Sequence, residues 1–393
     1  MTKIKPILWK NAEDCSGCMA CVAVCPRKAI DLSYNEEGFL YPNINTDKCI
    51  GCLKCANVCA FKKDSATPVV ENPKAHIYAA KIKDTEALMN SSSGGLFTAL
   101  SDYFLENNDM VVACNYLYDQ DKVTMSFCDS KLMRNKARGS KYIQAELGGI
   151  FGDIIEWLEL HPNKNMLVVG TGCQIAGLDL LLKEKRLREK VVLVDLICHG
   201  AASSKLWKDY INKVESKHNG KIDYITFKNK RNGWENPSVF VKIRGHEVAI
   251  KPYSDWFYMG WTLRESCYKC PYTRIDRHSD ITIGDYWGIQ NVMPDFYDKM
   301  GVSLVITHSK VGEKIFGKIK KEIDYRESNR NECLQPRLIS PQVYPKDRDL
   351  FWKDMKFKGM DYCIKKYVQH DETTIKEKLK RYVKKIIRGL IKK

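Results

Sequence analysis

The chain has 393 residues, enough for two or three packed domains of about 100–200 residues each. Hydrophobic residues at 44% and charged residues at 28% exclude a disordered chain, and no stretch reaches the roughly 18 apolar residues of a membrane span. Lys and Arg outnumber Asp and Glu by 64 to 48, a formal net charge of +16, and the 16 cysteines are too sparse for a disulfide scaffold. The opening MTKIKPILWKNAEDC lacks the apolar core of a secretory signal. The expectation is a cytoplasmic protein, in which cysteine used this heavily more often holds metal.

Residues 1–66 carry one pattern twice. Cys15-x2-Cys18-x2-Cys21-x3-Cys25-Pro26 returns as Cys49-x2-Cys52-x2-Cys55-x3-Cys59. Three thiolates in a tight C-x2-C-x2-C loop wrap three irons of a cubane, and the fourth, entering the next helical turn, reaches the partner cluster. Cys15, Cys18, Cys21 and Cys59 are therefore assigned to one [4Fe–4S] cluster, and Cys49, Cys52, Cys55 and Cys25 to the other. The competing readings are zinc knuckles, which show two separated C-x2-C pairs instead of a triple plus one, and structural cysteines without metal. Residues 29–32 and 38–42 read as hairpin strands. This segment resembles a bacterial-type two-cluster ferredoxin domain, with Ala60 where that family usually has proline. Its nine Lys/Arg against seven Asp/Glu through Ser65 suit delivery of electrons within the chain rather than a free, acidic carrier.

A turn-rich linker over 64–73 closes the domain. Residues 76–83 then alternate as a strand, and Ser91-Ser92-Ser93-Gly94-Gly95 opens an amphipathic helix through about Glu106. Such a helix start turns backbone N–H groups outward and can seat a phosphate; plain capping is the alternative. Residues 166–170 and 191–197 read as buried strands, each running into a glycine-containing turn and a helix, the second helix from about Ser203. The pattern predicts parallel strands of an α/β sheet, with sites at their carboxyl ends. Both turns hold a cysteine, Cys173 and Cys198, and Cys267-x2-Cys270-Pro271 supplies two more.

SSGGLFTAL (92–100), RGSKY (138–142), GTGCQIAGL (170–178), DLICHG (195–200), RNGW (231–234), TLRESCYKCPY (262–272), DITIGDYWG (280–288) and KMGVSLV (299–305) follow in this order. Over residues 76–310 the chain thereby resembles the coenzyme F420 hydrogenase/dehydrogenase beta-subunit family, in the branch with an N-terminal two-cluster ferredoxin domain. Gly172 departs from the proline common in that family. The resemblance implies an α+β ferredoxin-like two-cluster domain (1–66) followed by an α/β flavin/F420-type reductase domain. The N-terminal and C-terminal regions of that domain span 74–160 and 161–345, and a basic helical tail covers 346–393. It also implies electron passage between clusters, a bound flavin (FAD or another) and a low-potential partner, coenzyme F420 in the methanogen enzymes, with relatives reducing other conjugated substrates.

Within the matching motifs, Cys173, Cys198, Cys267 and Cys270 are expected to converge on a third [4Fe–4S] cluster; buried unliganded cysteines and a zinc site are the alternatives. A Cys198–His199 thiolate–imidazole pair is not expected, because neighbours on a turn point apart and no third orienting group accompanies them. Cys114, Cys128, Cys333 and Cys363 have no ligand spacing and are assigned to the core. The flavin is expected at Ser93, Gly94 and Gly95, with Gly139, Ser140, Lys141 and Tyr142 nearby. Arg138 and Lys141 either offset its phosphate charge or form a solvated face. Asp285 touches flavin or substrate, or caps the following turn. No residue receives an acid–base role, since the cofactor carries the chemistry.

From Thr374 nine Lys/Arg stand against one Glu, and Ile375, Leu379, Tyr382, Val383, Ile386, Ile387, Leu390 and Ile391 draw one apolar stripe. A basic amphipathic helix suits an anionic membrane surface, with the protein peripheral at the inner membrane face, or an acidic partner. Docking on its own domain is the alternative. No nucleic-acid-binding motif is present, and no nucleic acid is expected as partner. The function expected is an iron–sulfur oxidoreductase exchanging electrons with a partner protein or a small redox substrate; a non-catalytic electron-transfer subunit is the alternative.

Overall fold

In both cysteine copies the same two positions leave the ordinary backbone. Gly17 and Met19 have φ of 72° and 61°, and Gly51 and Leu53 have 73° and 60°. These left-handed residues curl each C-x2-C-x2-C run before a short helix, α1 (Ala20–Val24) and α2 (Lys54–Asn57). Between the copies β1 (Ile30–Tyr34) pairs antiparallel with β2 (Leu40–Ile44), Ile30 opposite Ile44. The hairpin predicted from the sequence is present, running to Tyr34 and Ile44. The computed structural model describes residues 6–61 and 75–368; the predicted linker over 64–73 and the basic stripe from Thr374 both lie outside them.

The second part of the chain runs β3 (His76–Ile82), α3 (Thr85–Met89), α4 (Leu96–Glu106), β4 (Met110–Leu117), β5 (Lys122–Cys128), α5 (Lys131–Ala137) and α6 (Ile150–Leu160). It continues through β6 (Met166–Thr171), α7 (Gly172–Glu184), β7 (Val191–Leu196), α8 (Ser204–His218), β8 (Ile222–Asn229), β9 (Ser238–Ile243), β10 (His246–Ala249) and α9 (Lys251–Met259). It ends with β11 (Ile281–Asp285), α10 (Ile289–Val292), β12 (Ser303–Thr307), α11 (Lys310–Ile319), β13 (Ile323–Ser328), α12 (Pro336–Ile339) and α13 (Arg348–Lys366), the last broken at Gly359.

Eight strands form one sheet in the order β13-β3-β12-β11-β7-β6-β4-β5. The expected parallel pair is present: β6 and β7 run parallel from Met166↔Val191 to Thr171↔Leu196, and β4 and β11 extend the run on either side. The sheet as a whole is mixed, because β5, β12 and β13 run the other way. The short 118–121 connection between β4 and β5 leaves no room for the crossover that a parallel partner needs. The strands of 74–160 and of 161–345 therefore interleave in one sheet.

The sheet is covered on both faces, as apolar strand runs require. On one face Val111, Leu167, Val169, Val194 and Ile283 meet Leu100 and Phe104 of α4 and Phe316 of α11. On the other, Val112, Val168 and Leu193 meet Phe151 and Ile154 of α6 and Leu178 of α7. The dicluster lobe joins this second face through Ala20, Val24 and Val58. A smaller antiparallel sheet, β10-β9-β8, packs with α8 and α9 around Trp207, Tyr253 and Trp256. Helix α7 starts where the sequence signals it, with Gln174 Oε1 accepting from Thr171 N at 2.9 Å in a capping box. Among the described residues no helix is long and apolar enough to cross a membrane.

Candidate functional site

The eight N-terminal cysteines lie in two neighbouring groups. The thiols of Cys15, Cys18, Cys21 and Cys59 lie within electrostatic reach of one another. Cys25, Cys49, Cys52 and Cys55 line one cleft with Ile30, Ile44, Ile50 and Leu53. Backbone N–H groups donate to the sulfurs, Gly17 N to Cys15 Sγ at 3.4 Å and Ala29 N to Cys25 Sγ at 3.3 Å, the partners a charged cluster needs. The sets adjoin where Cys21 comes within reach of Cys55.

The lobe is fastened to the large sheet domain by buried side chains. Arg264, 1% exposed, donates from Nε to Cys15 O at 2.7 Å and from Nη2 to Leu40 O at 3.0 Å, and its guanidinium lies 4.0 Å from the Tyr41 ring centroid. Gln144 Nε2 donates to Ser16 O at 3.2 Å. Arg348 grips Glu37 with two bonds of 2.8 and 2.5 Å. Gly177 of α7 lets Cys18 come close, since a Cβ there would lie 2.7 Å from Cys18 Sγ.

The other four motif cysteines meet. Cys173 follows β6 on the first turn of α7, Cys198 follows β7, and Cys267 and Cys270 come from the 263–271 loop. Cys173 and Cys267 are each within reach of Cys198, and all three are within reach of Cys270. Ala201 N donates to Cys267 Sγ at 3.3 Å, and Thr171 Oγ1 lies 3.3 Å from Cys173 Sγ. Burial pushes the Cys198 thiol up to about 12 and Cys267 to about 11, so metal ligation must displace their protons. Among the described residues no three His, Cys, Asp or Glu side chains are grouped closely enough for a single metal ion. Four thiolates on one zinc would sit within about 4 Å of each other at Zn–S bonds of about 2.3 Å. Four thiols are also the ligand set of a cubane, whose ligands sit on four separate irons.

Cys18 of the first set is within reach of Cys173. Tyr272 stands between them, within reach of Cys173, Cys18, Cys270 and Cys59. Its packing also accounts for Gly172, where a Cβ would lie 2.9 Å from Tyr272 Cβ.

Beyond Cys198 a group of aromatic and charged side chains gathers at the same sheet edge. His199 Nε2 lies 3.3 Å from Phe257 O while Cys198 Sγ turns to Gly200 O, so the two neighbours point apart as expected. Tyr142 stacks on Phe257 at 4.4 Å, and Tyr258 Oη donates to Tyr142 Oη at 3.1 Å. Asp285, the last residue of β11, lies within electrostatic reach of both tyrosines. It pairs with Lys228 and accepts from Trp234 Nε1 at 2.8 Å. Trp234 in turn stacks on Trp287 at 4.8 Å. Ser93 Oγ donates to Val302 O at 3.1 Å, and Ser140 N donates to Ser92 Oγ at 2.7 Å. The serine–glycine turn, the RGSKY segment and Asp285 thus share one edge.

Their detailed roles differ from a bare phosphate seat. Gly94 N donates to Ser303 Oγ at 2.9 Å, and Gly94 has no space for a side chain against Ser303 N, 2.6 Å from a Cβ. Gly95 is the left-handed cap of α4, and Gly139 is exposed. Lys141 Nζ donates to Ala137, Arg138 and Gly139 carbonyls at 2.7 to 3.0 Å, and burial lowers it to about 8. Arg138 Nε is buried with no hydrogen-bond partner among the described residues, a donor suited to an anionic cofactor group. Cys128, Cys333 and Cys363 are fully buried, and Cys114 lies on β4.

Three charged residues of this edge escaped the sequence reading. Lys228 and Lys230 lie beside RNGW. Lys230 Nζ donates to Leu88, Ser93 and Met300 carbonyls at 2.7, 2.6 and 2.5 Å, and burial lowers it to about 7. Arg264 lies within TLRESC but carries no periodic or spacing signal.

Residues 163–332 match the family model described as the C terminus of the coenzyme F420 hydrogenase/dehydrogenase beta subunit, and residues 14–63 match that of the 4Fe-4S dicluster domain. Among solved structures, a chain of the xenon-derivatised F420-reducing [NiFe] hydrogenase complex from Methanosarcina barkeri is similar at 19% identity. Its TM-score is 0.43, and the match covers 74% of this chain and 89% of that chain. No curated protein matches the chain.

Proposed function

We propose that this chain, which matches the 4Fe-4S dicluster domain over residues 14–63 and the C terminus of the coenzyme F420 hydrogenase/dehydrogenase beta subunit over residues 163–332, is an oxidoreductase that carries electrons along three [4Fe–4S] clusters to a flavin beside Asp285, with a diffusible conjugated substrate as the other redox partner. The observation that carries this reading is the meeting of Cys173, Cys198, Cys267 and Cys270, between Cys18 on one side and the His199–Tyr258–Tyr142 wall on the other. A bound flavin supplies the exchange between single electrons and hydride. The chain's residues hold and orient it: Arg138 Nε offers a donor to its phosphates, Ser93 and Ser140 line the turn, and Tyr142 and Asp285 border the ring site.

The negative charge of a cubane with four thiolates is met by backbone donors, by the α7 N-terminus at Cys173 and by Arg264 beside Cys15. Anaerobic purification followed by flavin and iron analysis tests the proposal. About one flavin to about twelve irons is the expected result. About eight irons and no flavin would overturn it and leave a two-cluster carrier on an α/β scaffold.

A further inference from the structure

The line of cysteine sets has an inner and an outer end. Its inner end is the sheet edge at Asp285; its outer end is the Cys25–Cys49–Cys52–Cys55 set, which lines a cleft of the dicluster lobe. Here the surface changes character. Cys52 is exposed, and its loop neighbours Ile50 and Leu53 are 47 and 37% exposed. Pro6, Pro26, Ile50 and Leu53 line the same cleft as the four thiols. Hydrophobic side chains around a redox centre exclude water from a transient contact and let the centres approach closely.

The rim of this patch is basic. Arg27 and Lys54 line the cleft with the cysteines, Lys28 follows Arg27, and Lys48 precedes Cys49. Lys54 is answered by Glu184 at 3.0 Å, whereas Arg27, Lys28 and Lys48 are exposed and form no ion pair among the described residues. Asp31 and Asp47 are the exposed acids nearby, while Glu36 and Glu37 are drawn away to Lys356 and Arg348.

We propose that this face is the docking site of a small acidic one-electron carrier protein that feeds the chain. In the encounter one electron leaves the carrier's reduced centre and enters the cluster held by Cys25, Cys49, Cys52 and Cys55; the carrier is oxidised, the cluster reduced, and no bond or proton moves. The inference rests on the line of clusters proposed above for its direction, but its readout is reduction of the two N-terminal clusters alone.

The test is stopped-flow reduction of the anaerobic holoprotein, followed by cluster bleaching, with a prereduced acidic two-cluster ferredoxin as one donor and reduced methyl viologen as the other. The R27E/K48E variant changes exposed side chains and should keep wild-type iron and its rate with viologen, while its rate with the acidic carrier falls about tenfold or more. The wild-type rate with the carrier should also fall steeply between about 50 and 500 mM salt. An unchanged carrier rate in the R27E/K48E variant, or a salt-independent wild-type rate, overturns the docking face. The same measurement on Cys267→Ser separates the two readings: the carrier still bleaches the N-terminal clusters there even if nothing lies beyond them.

Discussion

The Tyr272 hydroxyl donates to the Ala60 carbonyl at 2.6 Å. One residue closes the C-x2-C-P loop of the sheet domain and the other follows the last cysteine of the dicluster lobe, so a single bond ties two cysteine sets together. Tyr272→Phe keeps the ring and leaves a buried carbonyl unpaired, which costs about 1–3 kcal/mol. The expected outcome is a lower thermal midpoint of the anaerobic holoprotein with wild-type iron content; an unchanged midpoint would show that the bond adds nothing.

Gly177 gives a prediction of opposite sign to helix propensity. Alanine inside a helix ordinarily gains about 1 kcal/mol over glycine. Here its Cβ would meet Cys18 Sγ at 2.7 Å and Ala20 Cβ at 3.3 Å. Gly177→Ala should therefore destabilise the protein and lower its iron content. A variant that melts higher with full iron would contradict the close approach.

Cys267→Ser should remove about four of about twelve irons and leave the two N-terminal clusters. Electron paramagnetic resonance of the reduced protein checks which signal disappears. Loss of all iron would make Cys267 a folding residue instead of the ligand of one cluster.

Arg348 is 1% exposed and its two Glu37 bonds cross from α13 to the β1–β2 turn. Glu37→Ala leaves that guanidinium buried without its carboxylate, at a cost of about 3–5 kcal/mol. Chemical denaturation followed at the cluster absorbance should show the lobe released at lower denaturant. Coincident wild-type and variant curves would place the pair among contacts that do not matter.

Much of this architecture is legible in the residues, for reasons that differ by element. The repeated cysteine spacing has one economical solution, and the apolar runs at Met166–Thr171 and Val191–Leu196 are long enough and bounded well enough to read as strands. The mixed direction of the sheet escapes such a reading, because strand sense depends on connections and not on composition; β12 looks like β7 in sequence. Lys230 is illegible for another reason. A lysine among lysines reads as solvated surface until the chain folds three carbonyls around it. The cysteines at 173, 198, 267 and 270 sit between these cases: each is noticeable, but their meeting depends on three separate loops.

His308 is partly buried, its Nε2 is 2.7 Å from Thr282 Oγ1, and desolvation lowers it from 6.5 to about 4, with Asp195 and Arg277 among the surrounding charges. Between those values the unfolded chain binds a proton that the folded protein refuses. Stability is therefore full above about pH 6.5 and falls as pH drops toward 4, by about 1.4 kcal/mol for each pH unit of that window. His308→Asn should flatten the stability profile across this window. An equally steep loss in the variant would assign the acid sensitivity to other groups.

The four inner cysteines arrive on three loops, and this orders the protein's own manufacture. A ribosome delivers Cys15 through Cys59 first, so both outer clusters can be loaded while the large sheet is still unmade. Cys173, Cys198, Cys267 and Cys270 become available together only after β6, β7 and the 263–271 loop have been synthesised. Arg264, whose side chain closes over the Cys15 carbonyl, is among the last of these to emerge, so the finished lobe is sealed by a residue made some two hundred positions after it. The proposed third cluster can therefore be completed only after every ligand of the two N-terminal sets has been made.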